Sequence, residues 1–197
     1  MLYDELKKTM PSGKAPPLML HCCCAPCAGH VLELLAPLFN ITIAFYNPNI
    51  HPYEEYDKRA GEFQKILTQG EFPNGVDMVL GNYDYDAFEA AAMPYREEPE
   101  GGRRCSACFE LRLKETAKLA KEGGYECFAS TLSVSPHKNS AMLNEIGSAI
   151  AEGFGVKYLI ADFKKQDGYK RSVELSKRYG LYRQSYCGCE SSRAVRG

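Results

Sequence analysis

Eight of the nine cysteines in this chain stand in three short clusters. The first is His21-Cys22-Cys23-Cys24-Ala25-Pro26-Cys27, the second Arg104-Cys105-Ser106-Ala107-Cys108-Phe109, and the third Tyr186-Cys187-Gly188-Cys189-Glu190. An iron–sulfur cluster, a zinc ion and a redox-active dithiol all require thiols at such spacing, and a CxxC alone does not choose among them. Adjacent cysteines in a loop point in different directions, so the first cluster can serve two centres, and a helix N-terminus beside it favours thiolate over thiol. Gly188 lets the CxC backbone bend so that both sulfurs reach one centre. A [4Fe–4S] cluster or a tetrahedral zinc takes four thiolates, yet the clusters hold eight. The surplus points to a second metal or a redox-active pair. An odd total, gathered rather than spread out, suits metal-bound thiolates better than a disulfide framework. Cys127 falls in an apolar stretch and reads as core.

Three histidines and one acid extend this set. His21 ends an apolar run beside the first thiols, where it can ligate metal, donate to a sulfur or serve as a satisfied structural residue. His51, in Asn-Ile-His-Pro, and His137, in Ser-Pro-His-Lys-Asn, are expected on the same face and can meet a substrate, with plain helix-start chemistry as the bland reading. Asp162 follows YLIA as a carboxylate at a strand end, able to ligate, to move a proton or to cap a turn. Lys164, Lys165, Lys170, Arg171, Lys177, Arg178, Arg183, Arg193 and Arg196 gather near the third cluster, interleaved with Tyr169, Tyr179, Tyr182 and Tyr186. Such a run is by default a solvated face, but it also suits a nucleic-acid backbone and an unstacked base.

The elements that must position these residues alternate. Pro16 to His21 reads as a buried strand, CCCAPC as a loop and Ala28 to Phe39 as a helix; ITIAFYNP is a second strand and PYEEYDKRAGEFQKILTQ a second helix. VDMVLG, CFASTLSVS and VKYLIADF follow as strands, with YDAFEAAAM, CSACFELRLKETAKLAKEGG and HKNSAMLNEIGSAIAEGFG as helices and Pro94 to Arg104 as a loop. This order predicts an α/β fold with a mainly parallel sheet covered on both sides, its site at the carboxyl ends of the strands. At 197 residues one domain over 1–197 is expected. The 24 basic and 25 acidic side chains nearly cancel, which excludes a global basic field. No apolar run approaches a membrane span and the opening MLYDELKKTM lacks a secretory pattern, so a soluble cytoplasmic protein is expected.

The ordered set LMLHCCCAPC, FYNPNIHP, CSACF, STLSVSPHKN, DFKK with GYKRS, and LYRQSYCGCE resembles the cobalamin-independent epoxyqueuosine reductases, known as the QueH family. The resemblance runs from about Leu18 to Glu190 and implies several things together. The fold would be a three-layer sheet like the nucleotide-binding α/β (HUP-like) domain of ATP pyrophosphatases, with segment 163–197 closing the metal site. The reaction would reduce the epoxide of epoxyqueuosine at the tRNA wobble position to the alkene, the last step of queuosine synthesis. The centre would be a [4Fe–4S] cluster beside a coordinated iron, held among Cys23, Cys24, Cys27, Cys105, Cys108, Cys187 and Cys189. Cys24, Cys105 and Cys108 are the expected cluster ligands, and Cys23, Cys187 and Cys189 hold the rest of the cluster or the iron. His21, His137, Asp162 or a tyrosine would be the acid, and an electron-donor protein or reductant is a required partner.

Two other readings compete. An ATP pyrophosphatase acting in tRNA thiolation needs a phosphate loop of the SGGxDS kind after the first strand, where this chain has HCCCAPC. A zinc-stapled RNA-binding module leaves four thiolates without a task.

Overall fold

A computed structural model describes residues 15–196, without the side chains of residues 195 and 196. The opening MLYDELKKTM and the Arg196 side chain lie outside the described residues. Five strands, β1 (Pro17–His21), β2 (Asn40–Phe45), β3 (Val76–Leu80), β4 (Cys127–Ser130) and β5 (Lys157–Tyr158), form one sheet in the order β3-β2-β1-β4-β5. Every pairing is parallel. β1 therefore lies between a strand wound to one side and a strand wound to the other. The crevice at the carboxyl ends of β1 and β4 is the switch point where such sheets bind ligands.

Helices cover both faces and make three layers. On one side Leu18, Leu20, Ile41, Ile43 and Phe45 pack against α1 (Ala25–Leu35), α2 (Tyr53–Gly61) and α3 (Phe63–Gln69). On the other, Met19, Ala44 and Phe128 pack against α5 (Arg103–Glu122) and α6 (Ser140–Phe154). Burial on both faces explains why β1, β2 and β4 read as continuous apolar runs. Each fully buried Leu, Ile or Phe contributes roughly 1.5–3 kcal/mol over exposure. α4 (Tyr85–Ala92) lies against α5, α7 (Gly168–Arg178) against α1, and α8 (Glu190–Arg196) follows the third cysteine cluster. None of the helices among the described residues is long and apolar enough to cross a membrane.

Several elements differ from the expected bounds. The first helix begins at Ala25 rather than Ala28, because Pro26 fits a helix's first turn, and it ends before Pro37, so Cys27 is helical and not in a loop. The second helix is two, divided at Glu62. CFASTLSVS is a strand only to Ser130: the Ser130 hydroxyl accepts from Leu132 N–H and turns Thr131–Val134 into a 3-10 helix. VKYLIADF is regular strand at Lys157–Tyr158, with Leu159 N–H still donating to Phe128 C=O and a bridge at Ile160, and it stops at Ala161, whose two backbone groups the Asn144 amide from α6 takes. The loop expected at Pro94–Arg104 starts inside a 3-10 turn, Met93–Tyr95, and α5 begins at Arg103. The helices α7 and α8 are additional to the elements expected from the sequence.

The α6 face shows how tight this packing is. A Cβ on Gly147 would stand 2.5 Å from the buried Tyr158 ring, whereas one on Gly61 would meet nothing within 4 Å. Gly147→Ala should lower unfolding free energy by about 1–3 kcal/mol in urea titrations, and Gly61→Ala should be neutral or slightly stabilising.

Candidate metal centre

The first thiols are placed by the end of β1. Cys22 N–H donates to Ala44 C=O at 3.1 Å, extending the ladder one residue past His21. Extended backbone alternates sides, so Cys22 enters the α1-side core and Cys23 the α5-side core. Cys24 is the N-cap of α1 with φ −168° and ψ 154°, and its sulfur makes no capping bond. Ala28 N–H closes the first turn onto Cys24 C=O, which brings Cys27 round beneath. The sulfurs of Cys23, Cys24 and Cys27 lie within 4.8 Å of one another, the one group of three or more metal-ligand side chains so gathered among the described residues.

The other four thiols face a common pocket. Cys105 and Cys108 sit three apart on the first turns of α5, and Cys105 Sγ accepts the Gly101 N–H at 3.2 Å. Cys187 and Cys189 arrive on a loop fastened by four bonds. His51 N–H donates to Gly188 C=O, Tyr186 O–H to His51 C=O, Cys187 N–H to Ser192 Oγ, and Arg59 Nη1 to Cys187 C=O at 2.9 Å. Arg59 is 1% exposed and pairs with Glu55 at 2.7 Å. Gly188 has φ +137°, and a Cβ there would approach Ile50 Cγ1 to 2.9 Å, so only glycine fits the bend. With Asn49, Phe88, Phe109, His137, Lys138 and Met142 these cysteines line a pocket of about 560 Å³, its open mouth included.

Burial and charge act on the thiols in opposite senses. Hydrogen bonds from Cys24 and Cys27 hold Cys23 well below the usual thiol value, helped by Lys138 and Arg112. Donating to Cys23 pushes Cys24 up to about 11 and raises Cys27. Within the triad the fold thus favours the thiolate at Cys23 and the thiol at Cys24 and Cys27. In the pocket, burial pushes Cys108 up to about 12 and raises Cys105 and Cys189.

Residues 18–194 match the family model described as Epoxyqueuosine reductase QueH. The chain is 42% identical over 202 aligned positions to the "Epoxyqueuosine reductase QueH" of Streptococcus pyogenes serotype M1, covering 99% of this chain and 79% of that one. It is 37% identical over 178 positions to the protein of that name from Thermotoga maritima, covering 87% and 88%. The chain belongs to the QueH family. That family is one of oxidoreductases, and the match spans all three cysteine clusters.

Within this QueH chain the candidate acids are dispersed. His137 lines the pocket and is exposed. His21 is fully buried; its Nε2 faces the Tyr46 carbonyl at 3.3 Å and must donate there, so Nδ1 accepts from Ser130 O–H at 3.0 Å. Burial, then the charge of Arg112, lowers its pKa to about 3, and both ring nitrogens are taken. Asp162 Oδ1 accepts from Lys164 Nζ at 3.0 Å and is not among the pocket-lining residues. His51 stacks on Tyr85 at 4.7 Å and pairs with Glu190. Cys127 is core, its thiol donating to Phe128 C=O. Much of the basic and aromatic run is engaged within the molecule: Arg171 with Glu33 and Glu174, Arg178 over Tyr179, Arg183 over Tyr169, and Lys58, from α2, over Tyr182.

Sequence reasoning passed over Asn47, Arg59, Arg112 and Lys138. Only Arg112 carried a signal, four residues after Cys108 on one helix face. Removing the Arg59 charge leaves the Glu55 carboxylate with the Tyr182 O–H but no paired cation and frees the CxC loop. Arg59→Met should cost about 3 kcal/mol or more in denaturant titrations and make Cys187 faster to alkylate than in the wild type.

Proposed function

We propose that this chain reduces the epoxide of epoxyqueuosine in tRNA to the alkene of queuosine, the last step of that synthesis, at an iron–sulfur centre held by its cysteines. One observation carries the reading: three sulfurs converge at the switch point of the sheet, beside a pocket lined by four more. The donors fit the group. A [4Fe–4S] cluster takes four thiolates, none of the triad sulfurs is spent on capping, and Lys138 and Arg112 bring positive charge within reach of both thiol groups. Cys23, Cys24, Cys27, Cys105, Cys108, Cys187 and Cys189 would hold the cluster and a neighbouring iron. The convergence favours grouping Cys24 with Cys23 and Cys27 rather than with Cys105 and Cys108. The all-parallel sheet supports kinship with the nucleotide-binding α/β domain of ATP pyrophosphatases, with cysteines in place of the phosphate loop.

Epoxide to alkene takes two electrons and two protons and releases water. When bound, iron supplies the electrons singly and an open position that polarises oxygen. The protein's own residues would do the rest. Phe88, Phe109 and Met142 make the pocket apolar and exclude water. Asn49 is 1% exposed with Oδ1 unpartnered, an acceptor suited to a substrate N–H or O–H in that pocket. His137, exposed at the pocket, would pass a proton from its imidazolium to the leaving oxygen and, recharged from solvent, a second one to release water, a task for which His21 and Asp162 are less well placed. Segment 163–197 closes the site through Cys187 and Cys189 within a single domain. An electron-donor protein or reductant recharges the centre, and a tRNA substrate places the work in the cytoplasm.

Protein purified without oxygen should contain iron and acid-labile sulfide and should convert epoxyqueuosine in tRNA. Cys105→Ala and Cys189→Ala should each abolish turnover. Stoichiometric zinc without sulfide, or wild-type turnover in both variants, would overturn the reading.

A further inference from the structure

Arg112, like Arg59, is a fully enclosed cation of this site, 1% exposed on the inner face of α5. Its Nη2 donates to Asn47 Oδ1 at 2.6 Å, its Nη1 points at Cys108 Sγ at 3.9 Å, and its Nε has no partner. A neutral amide and a thiol are poor compensation for a guanidinium out of water. It also lies within electrostatic range of Cys108, Cys23 and Cys187, thiols of both groups that would offset its burial once they are thiolates. Asn47 completes the link. Its Nδ2 donates to the Cys22 carbonyl at 2.9 Å, so a single amide joins the guanidinium on α5 to the loop that carries the triad. Half-buried Lys138 lines the pocket with Cys187 and lies within electrostatic range of Cys23 and Cys27.

A cation so placed has a clear use if both thiol groups bear negative charge when loaded. We infer that Arg112 is a positioning residue of the centre: through Asn47 it fixes one thiol group relative to the other, and with Lys138 it supplies the positive charge that lets both hold metal as thiolates and accept an electron. Positive charge close to a redox group favours the reduced, more negative state, so its loss lowers the midpoint potential. The inference rests on the iron–sulfur reading for its redox half only; the metal-holding half applies to any thiolate-bound dication.

The test uses Arg112→Gln, Arg112→Lys and Lys138→Gln in the full chain. Metal-free protein is titrated with cobalt(II), read by its thiolate charge-transfer bands. Arg112→Gln should weaken binding about tenfold or more, while Arg112→Lys, which keeps the charge, should stay within a few-fold of wild type. In iron-loaded protein Arg112→Gln should shift the midpoint potential negative by about 60 mV, the equivalent of a tenfold change for one electron. Lys138→Gln lies at the pocket edge, where folding depends on it less, and should move both readouts in the same direction. Unchanged cobalt affinity and potential in both glutamine variants overturns the inference, as does an Arg112→Lys that falls as far as Arg112→Gln, because packing and not charge would then be at stake. If Arg112→Gln does not fold, Lys138→Gln decides the charge alone. A wild type that takes up no iron defeats the proposed function, while the cobalt series still judges Arg112.

Discussion

Because β1 is buried on both faces, every residue that continues its extended path past His21 is committed to one side of the sheet or the other. Cys22 goes to the α1 side and becomes core; Cys23 goes to the α5 side and faces the pocket elements. The helix that follows then has little freedom. It starts at once, with Cys24 as its cap and Pro26 in its first turn, and Cys27 comes round beneath the other two sulfurs. The remaining parts of the site, α5 with its CxxC and the C-terminal CxC loop, are arranged around thiols that the strand has already aimed.

A second constraint is electrostatic. Desolvation opposes negative charge on several neighbouring sulfurs, and the fold answers with two basic side chains instead of water. His21 belongs to the same balance. It sits among cations and thiols with both nitrogens engaged, and it joins the ends of three adjacent strands as a neutral tie: its own β1, β4 through Ser130, and the residue after β2 through the Tyr46 carbonyl. The polar interior of this site is thus a set of dipoles and charges held by the fold.

How much of this could be read in the residues beforehand follows from the range of each interaction. Strand-helix alternation and the three cysteine clusters are local patterns, and the parallel sheet and the family follow from them. Element ends were misplaced where a side chain competed with the backbone ladder, as Ser130 does after β4 and Asn144 does at Ala161. The roles of Arg59, Asn47 and Lys138 were invisible because each acts across a long separation in the chain, and a lone Arg or Asn in a sequence has no period to betray it. For His21 the sequence leaves ligand, donor to a sulfur, acid and satisfied structural residue open, and its burial and bonds are set by β4 and by the residue after β2, which the linear sequence places far away.

The fastening of the CxC loop to Arg59 and His51 bears on how each molecule is built. Cys187 lines its pocket together with Asn49 and Cys108, yet a ribosome delivers it long after both. The pocket therefore has both walls only once the loop of Cys187 and Cys189 has been made and has docked on Arg59 and His51, after the strands and α5 that precede it in the chain.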